Sequence, residues 1–263
     1  MGIALETPQL EARINWRGTV LSVDLLAGRS IAMSLDPHGS QPVFFSTEKM
    51  RAEPLNTGSF VGDVRLGGSC NCELLHWAPH CHGTHTECIG HISAERRTVL
   101  ECIDTCPGLA RLLTVRADKG IIRVSELQNG LDWGGYSALI LRTLPNVPEK
   151  QWRDYSRQPE FPTLAGEAVR WLCQHKLRHL LLDTPSMDRP DNSRLENHRI
   201  WWGDESNVQV HGFPPHKRSV TEMIYVDDAI PDGDYWLNIE LASVVSDAVP
   251  SRPVIYPVAA ASR

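Results

Sequence analysis

The chain has 263 residues, enough for one large domain or two small ones with a proper core. Hydrophobic residues make up 41% and charged residues 22%, with a formal net charge of −6 and no Lys/Arg-rich run, which argues against nucleic acid or an acidic membrane surface as the main partner. No apolar run is long enough to span a bilayer and no leader pattern opens the chain, and seven cysteines, an odd count in a chain too large to need staples, fit reduced thiols in the cytoplasm.

In chain order, residues 1–12 read as a poorly patterned arm preceding a domain over 13–263. Short β-like runs follow at 19–26, 30–35, 42–46 and 60–66, separated by glycine, proline and polar clusters. Residues 109–117 and 137–143 have the composition of interior strands, and 125–130 that of a short helix. The clearest helix is predicted over 162–176, with Leu164, Ala168, Trp171 and Leu172 at helical spacing and Thr163 placed to cap its first turn. An apolar strand within 177–188 then runs out into Asp183-Thr184-Pro185-Ser186, the way α/β proteins present a polar loop at a strand end. Strands return at 220–228 and 234–245. Many strands and few helices predict an α/β fold with a mixed sheet, barrel-like or sandwiched.

Residues 80–91, HCHGTHTECIGH, hold four histidines, two cysteines and a glutamate, all able to ligate metal or carry protons. In an extended chain Cys81, His85, Glu87 and His91 share one face, while His80, His82 and Cys88 take the other. His85 and Glu87 are then about 7 Å apart, within reach of one metal centre. Cys81 and His91 would be roughly 33 Å apart on a straight strand. A bend is therefore expected, and Gly83 and Gly90 sit where bends are cheap. The competing helix, with Cys81 and His85 four apart, is weakened by Gly83-Thr84. Five of the eleven histidines fall within residues 76–91, which favours metal binding over a His-rich surface loop. A structural zinc site is disfavoured, because the close pair Cys70 and Cys72 has no matching pair downstream. A redox pair of Cys81 and Cys88 is disfavoured by their opposite strand faces.

This run resembles the signature His-x-Gly-Thr-His-x-Asp-x-Pro-x-His of the cyclase family, whose members include bacterial kynurenine formamidases and isatin hydrolase. The segments SALILRT, PTLAGEAVRWLCQHKLRHLLLDTPSMD, RLENHRIW and VTEMIYVDDAIPDGDYWLNIELA look like later segments of that family, in the same order, so the likeness spans about residues 17 to 245. It implies a single mixed-sheet, barrel-like domain of the swivelling β/β/α type with few helices. It also implies one or two divalent ions, zinc or manganese, and a homodimer or a dimer of dimers. Carried over, His85 and Glu87 match signature metal ligands, His91 matches the catalytic acid/base, and His198 and Glu222 match downstream ligands. Asp183-Thr184-Pro185-Ser186 matches a structural motif near the site.

Three departures from the pattern stand out. The first signature histidine falls on Cys81, flanked by His80 and His82; aspartate has become Glu87; and proline has become Ile89, with an apparent insertion at 202–215. Strand parity favours Cys81 as the first ligand, the alternative being His80 or His82 with Cys81 merely packed. Cys81, Glu87 and Glu222 together bring three negative charges, which calls for two ions or leaves a less acidified water. Trp77, Trp201 and Trp202 lie beside these residues, to stack on an aromatic substrate or to pack in a core or dimer contact. The expected activity is hydrolysis of a non-peptide amide C–N bond by metal-activated water, with His91 moving the proton. The alternatives are a lactone or cyclic-amide hydrolase or cyclase, and a non-catalytic metal- or small-molecule-binding protein.

Overall fold

The apolar runs pair edge to edge until the sheet meets itself. The computed structural model describes residues 10–45, 48–103, 107–128, 135–203 and 214–260. It begins with an antiparallel hairpin of β1 (Glu11–Trp16) and β2 (Thr19–Asp24), then a short β3 (Arg29–Ser30) and a second hairpin of β4 (Arg51–Pro54) and β5 (Glu73–His76). β6 (His85–Glu87), α1 (Val99–Cys102), β7 (Gly108–Arg116), β8 (Ile121–Ile122), α2 (Val124–Leu127) and β9 (Ala138–Leu144) follow. The chain continues through β10 (Thr163–Leu164), α3 (Gly166–Cys173), β11 (His179–Leu182), α4 (Glu196–Trp201), β12 (Ser219–Glu222), β13 (Gly233–Leu241) and β14 (Ala248–Ala260).

Among the described residues, seven strands close a mixed barrel in the order β14-β13-β7-β9-β11-β12-β6, with β6 pairing back onto β14. β7, β9, β11 and β12 are parallel neighbours; β13, β14 and β6 join antiparallel. The parallel strands are apolar on both faces because both are covered. Alternation sends Ala110, Leu112, Ile140 and Leu181 into one core with Leu237 and Ile255. It sends Leu113, Leu139, Leu141 and Leu180 the other way, against Leu172 of α3 and Trp201 of α4.

Several local expectations are corrected. Thr163 does not cap a helix: the backbone of 163–165 pairs with β8, Thr163 N–H donating to Gly120 O and Ala165 N–H to Ile122 O, so α3 starts only at Gly166 with Ala165 at its N-cap. Of the run 42–46, the described residues 42–45 form only a bridge from Val43 to Asp154. In 60–66, Val61 bridges Asn56, and Val64–Leu66 is a 3-10 turn after Asp63, whose carboxylate accepts from Arg65 N–H. β1 begins at Glu11, inside the span 1–12 read as an arm, of which residues 1–9 lie outside the described residues. Of the insertion at 202–215, residues 204–213 lie outside the described residues. No helix among the described residues is long and apolar enough to cross a membrane.

Candidate metal centre

Three adjacent barrel strands bring acidic and imidazole groups to one face. Glu222 of β12 lies directly opposite His85 of β6, and Ala248 of β14 opposite Glu87. Residues opposite each other in an antiparallel pair project to the same side, so His85, Glu87 and Glu222 share a face. Val220, two residues before Glu222, packs in the core beneath α3 and α4. The cluster therefore sits between sheet and helices, outside the barrel lumen. Thr86 points the other way, its hydroxyl 2.7 Å from that of Thr221 and 2.8 Å from that of Ser251.

Two 3-10 turns flank β6 and set the remaining histidines. Pro79–Cys81 precedes it and Ile89–His91 follows it. The bends fall at the expected glycines. Gly83 has φ +69°, and Gly90 lies so close to Arg97 that an added Cβ would be 2.2 Å from its carbonyl oxygen. Strand parity thus holds only across 85–87, and it no longer assigns Cys81 to the face of His85 and Glu87. Cys81 is buried, its carbonyl accepting from Phe44 N–H at 3.0 Å, and it belongs to no close group of ligand atoms among the described residues. His80 occupies the place instead, its Nδ1 3.0 Å from Glu87 Oε2. His82 is tied elsewhere, Nδ1 accepting from Ala78 N–H and Nε2 lying 2.8 Å from Glu48 O.

The other ligand candidates converge. His85 Nδ1 lies 3.0 Å from Gly83 O, which places its proton there and turns Nε2 toward Glu222 Oε2 at 3.6 Å. His198, on α4, has Nδ1 2.6 Å from Asp188 Oδ2, leaving Nε2 3.1 Å from Glu87 Oε1 and 3.6 Å from Glu222 Oε1. Asp188 also accepts from the backbone N–H groups of Asn197 and His198, and Glu222 Oε1 accepts from Met187 N–H. His91 sits at the rim, Nε2 3.9 Å from Glu87 Oε2, its ring stacked on that of His80 at 4.1 Å. The structure thus brings together His85, Glu87, His91, His198 and Glu222, and leaves Cys81 out.

Two contributors escaped the sequence reading, Asp188 and Asp247. Asp188 stands in the polar loop after β11, where a carboxylate at a strand end was the available signal. Asp247 carried none, because only the β6–β14 pairing brings it to the site. Trp201 and Trp202 are buried, Trp202 lying 5.6 Å from the His198 ring, so they pack the core; Trp77 is more than a third exposed.

Burial in such a cluster sets the charges against one another. Burial opposes charge on His80, yet the hydrogen bond it donates to Asp247 and the adjacent Glu87 carboxylate outweigh it, and its pKa is pushed up to about 10. Burial, with the charge of His80, drives His85 down to about 4. Burial also opposes charge on Glu87 and His198, but their neighbours win: the charges of His91 and His198 hold Glu87 well below the usual range, and the charge of Glu87 and the bond to Asp188 hold His198 well above it. Glu222 is raised by burial and by the charge of Glu87.

The donor set fits a divalent cation. His85 Nε2, His198 Nε2 and both oxygens of Glu87 are fully buried and face one another without an aligned hydrogen bond. Leaving such atoms unmatched in a dry interior costs about 1–3 kcal/mol each, more for charged groups. Two imidazole nitrogens with carboxylate oxygens suit zinc or manganese. With Cys81 absent, Glu87 and Glu222 bring two negative charges, which one divalent ion balances.

A family model described as "Putative cyclase" matches residues 21–189, and the chain belongs to this cyclase family. Its fold is shared with a protein described as a potential metal-dependent hydrolase with cyclase activity, at 15% identity over 88% of this chain and 100% of the other, TM-score 0.61. Isatin hydrolase A from Labrenzia aggregata, bound to benzyl benzoate, is similar at 15% identity over 88% and 94% of the chains, TM-score 0.59. A further isatin hydrolase, bound to the product analogue thioisatinate, matches at 11% identity over 88% and 93%, TM-score 0.57.

Proposed function

We propose that the protein is a metal-dependent hydrolase that cleaves a non-peptide amide C–N bond, of the arylformamidase type. The buried, unmatched atoms of His85, Glu87 and His198, converging from β6 and α4, carry this reading. His80, His85, Glu87, His198 and Glu222 are the proposed ligands, with zinc as the ion and manganese the alternative. A divalent cation held there supplies Lewis-acid polarisation of a carbonyl and brings the pKa of water toward neutrality. Gly83 O and Asp188 fix the outer nitrogens of His85 and His198, so each presents a lone pair inward. His91, at the rim of the cluster, takes the proton from the attacking water at Nε2 and returns it to the leaving nitrogen. Buried walls, including Trp202 and Met187, keep bulk water from the inner groups. A homodimer or dimer of dimers in the cytoplasm is the proposed working state.

The likeness to isatin hydrolases favours a second reading within the same chemistry, opening of a cyclic amide. Metal analysis of the purified protein, followed by a panel of formanilides, cyclic amides and lactones, tests both. Bound zinc or manganese is expected, with hydrolysis of at least one amide. His91→Ala is expected to keep the ion and to lose about 10²–10⁴-fold in kcat. Metal-loaded protein that hydrolyses no member of the panel, or a His91→Ala variant as fast as the parent, would overturn the proposal.

A further inference from the structure

The rings of His80 and His91 stand side by side between two carboxylates, one buried and one at the surface. Their inner nitrogens face Glu87 Oε2, His80 Nδ1 at 3.0 Å and His91 Nε2 at 3.9 Å. Their outer nitrogens face one oxygen of Asp247, His80 Nε2 at 2.9 Å and His91 Nδ1 at 3.8 Å. The rings are 4.1 Å apart and 28° from parallel. We propose that Asp247 is a positioning residue: its carboxylate holds both imidazoles from the solvent side, so that His80 Nδ1 and His91 Nε2 point inward at Glu87.

Asp247 is itself held in place. Its carbonyl accepts from Cys88 N–H at 3.0 Å, which fastens it to the residue after Glu87, and Ser246 Oγ donates to its Oδ1 at 3.2 Å. The next residue, Ala248, pairs with Glu87 in the β14–β6 ladder. The carboxylate therefore stands one residue ahead of β14, the strand beside the one that carries the buried glutamate, and its distance from the rings is set by that pairing. The consequence for His80 is chemical as well as geometric. A ring that ligates through Nδ1 must carry its proton on Nε2, and an acceptor at Nε2 selects that tautomer and stops the ring from turning. For His91 the same oxygen lies on the Nδ1 side and keeps Nε2 turned to the reacting groups. This second part rests on the hydrolase reading; the first part does not.

The test uses the full chain as Asp247→Asn and Asp247→Ala, with zinc as probe. Zinc affinity is measured by chelator competition, zinc stoichiometry by elemental analysis, and the His80 ring nitrogens by 15N–1H NMR of the zinc-loaded protein. Asp247→Ala is expected to bind the same number of ions about 10–100-fold more weakly, the usual loss for an outer partner of a ligating histidine. Its His80 Nε2–H signal is expected to broaden through exchange with water, where the unmodified protein, with that proton held by Asp247, shows a sharp one. Asp247→Asn, which keeps an acceptor of the same shape, is expected to restore most of the affinity and the sharp Nε2–H signal, a rescue that guards against misfolding as the cause. On whichever panel substrate is hydrolysed, Asp247→Ala is expected to lower kcat more than it raises KM. Affinity and Nε2–H exchange unchanged in Asp247→Ala would overturn the proposal. So would loss of one equivalent of zinc in either variant, since Asp247 would then be a ligand. If the unmodified protein hydrolyses nothing, the hydrolase reading fails, and the affinity and NMR measurements still decide the role of Asp247.

Discussion

Within the 3-10 turn Pro79–Cys81 two neighbouring residues differ: His80 turns toward Glu87, and Cys81 is buried but joins no close group of ligand atoms among the described residues. Zinc bound at the cluster should therefore sense the first and ignore the second. His80→Ala is expected to weaken zinc by more than the ~10–100-fold cost of losing an outer partner. Cys81→Ala is expected to leave zinc affinity unchanged. Chelator competition on both variants checks this, and a Cys81→Ala variant that loses zinc would reinstate the thiolate as a ligand. The chemistry of residues 80–91 was legible in the sequence because histidine, glutamate and glycine at this density have few other uses. Which of three adjacent residues points inward was not, since alternation applies to extended backbone and a single 3-10 turn resets it. Asp247 was invisible for a different reason, its partners being some 160 residues away across a strand pairing that no local pattern announces.

At the scale of elements, the site depends on a three-residue strand with a turn at each end. β6 supplies His85 and Glu87; the turns supply His80 and His91. The second turn fits only because Gly90 carries no side chain, since a Cβ there would meet Arg97 O at 2.2 Å and Asp247 Cβ at 3.0 Å. Both obstacles belong to backbone-fixed positions, so Gly90→Ala must push the turn away from its neighbours. A loss of about 1–3 kcal/mol is expected, the typical cost of overpacking, measured by denaturant unfolding of the metal-free protein. Because the same shift moves His91, the hydrolysis rate should fall further than the stability change alone explains, whereas full stability would show that the turn has room. The long apolar strands β7, β9 and β11 could be read in advance, since burial on both faces leaves unbroken hydrophobic runs. β14 could not: Pro250, Pro253 and Pro257 look like strand breakers, yet all three sit within its thirteen-residue span. Thr163 misled in the opposite direction, because a capping residue does not start a helix where a neighbouring strand claims its backbone.

For the whole molecule, the same side chains that hold the cation also hold charge when it is removed, so stability and metal binding depend on pH in opposite senses. In the metal-free protein His80, opposed by burial but held by Asp247 and Glu87, has a pKa raised to about 10 from 6.5. A histidine raised in this way stabilises the fold fully below its unfolded value, and that contribution is lost as pH climbs toward 10. His198, raised by Glu87 and Asp188 against its burial, acts in the same direction. So does Glu222, raised by burial and by the charge of Glu87, whose contribution begins to fade above its ordinary value of 4.5. Glu87 and Asp247 are lowered, so their contribution is present above the carboxylate range and is lost only in acid. The metal-free protein is therefore expected to lose stability steadily from pH 6.5 to 10. Zinc must displace the protons on His80 and His198, so its affinity rises by up to about tenfold per pH unit for each proton displaced. Each tenfold gain in affinity adds about 1.4 kcal/mol to the stability of the loaded protein at fixed free zinc. The difference in Tm between zinc-loaded and metal-free protein should consequently widen between pH 6.5 and 9, as read by paired calorimetric scans at buffered free zinc. A constant gap across that range would mean that zinc binds without releasing protons from these histidines, and that His80 and His198 are not its ligands.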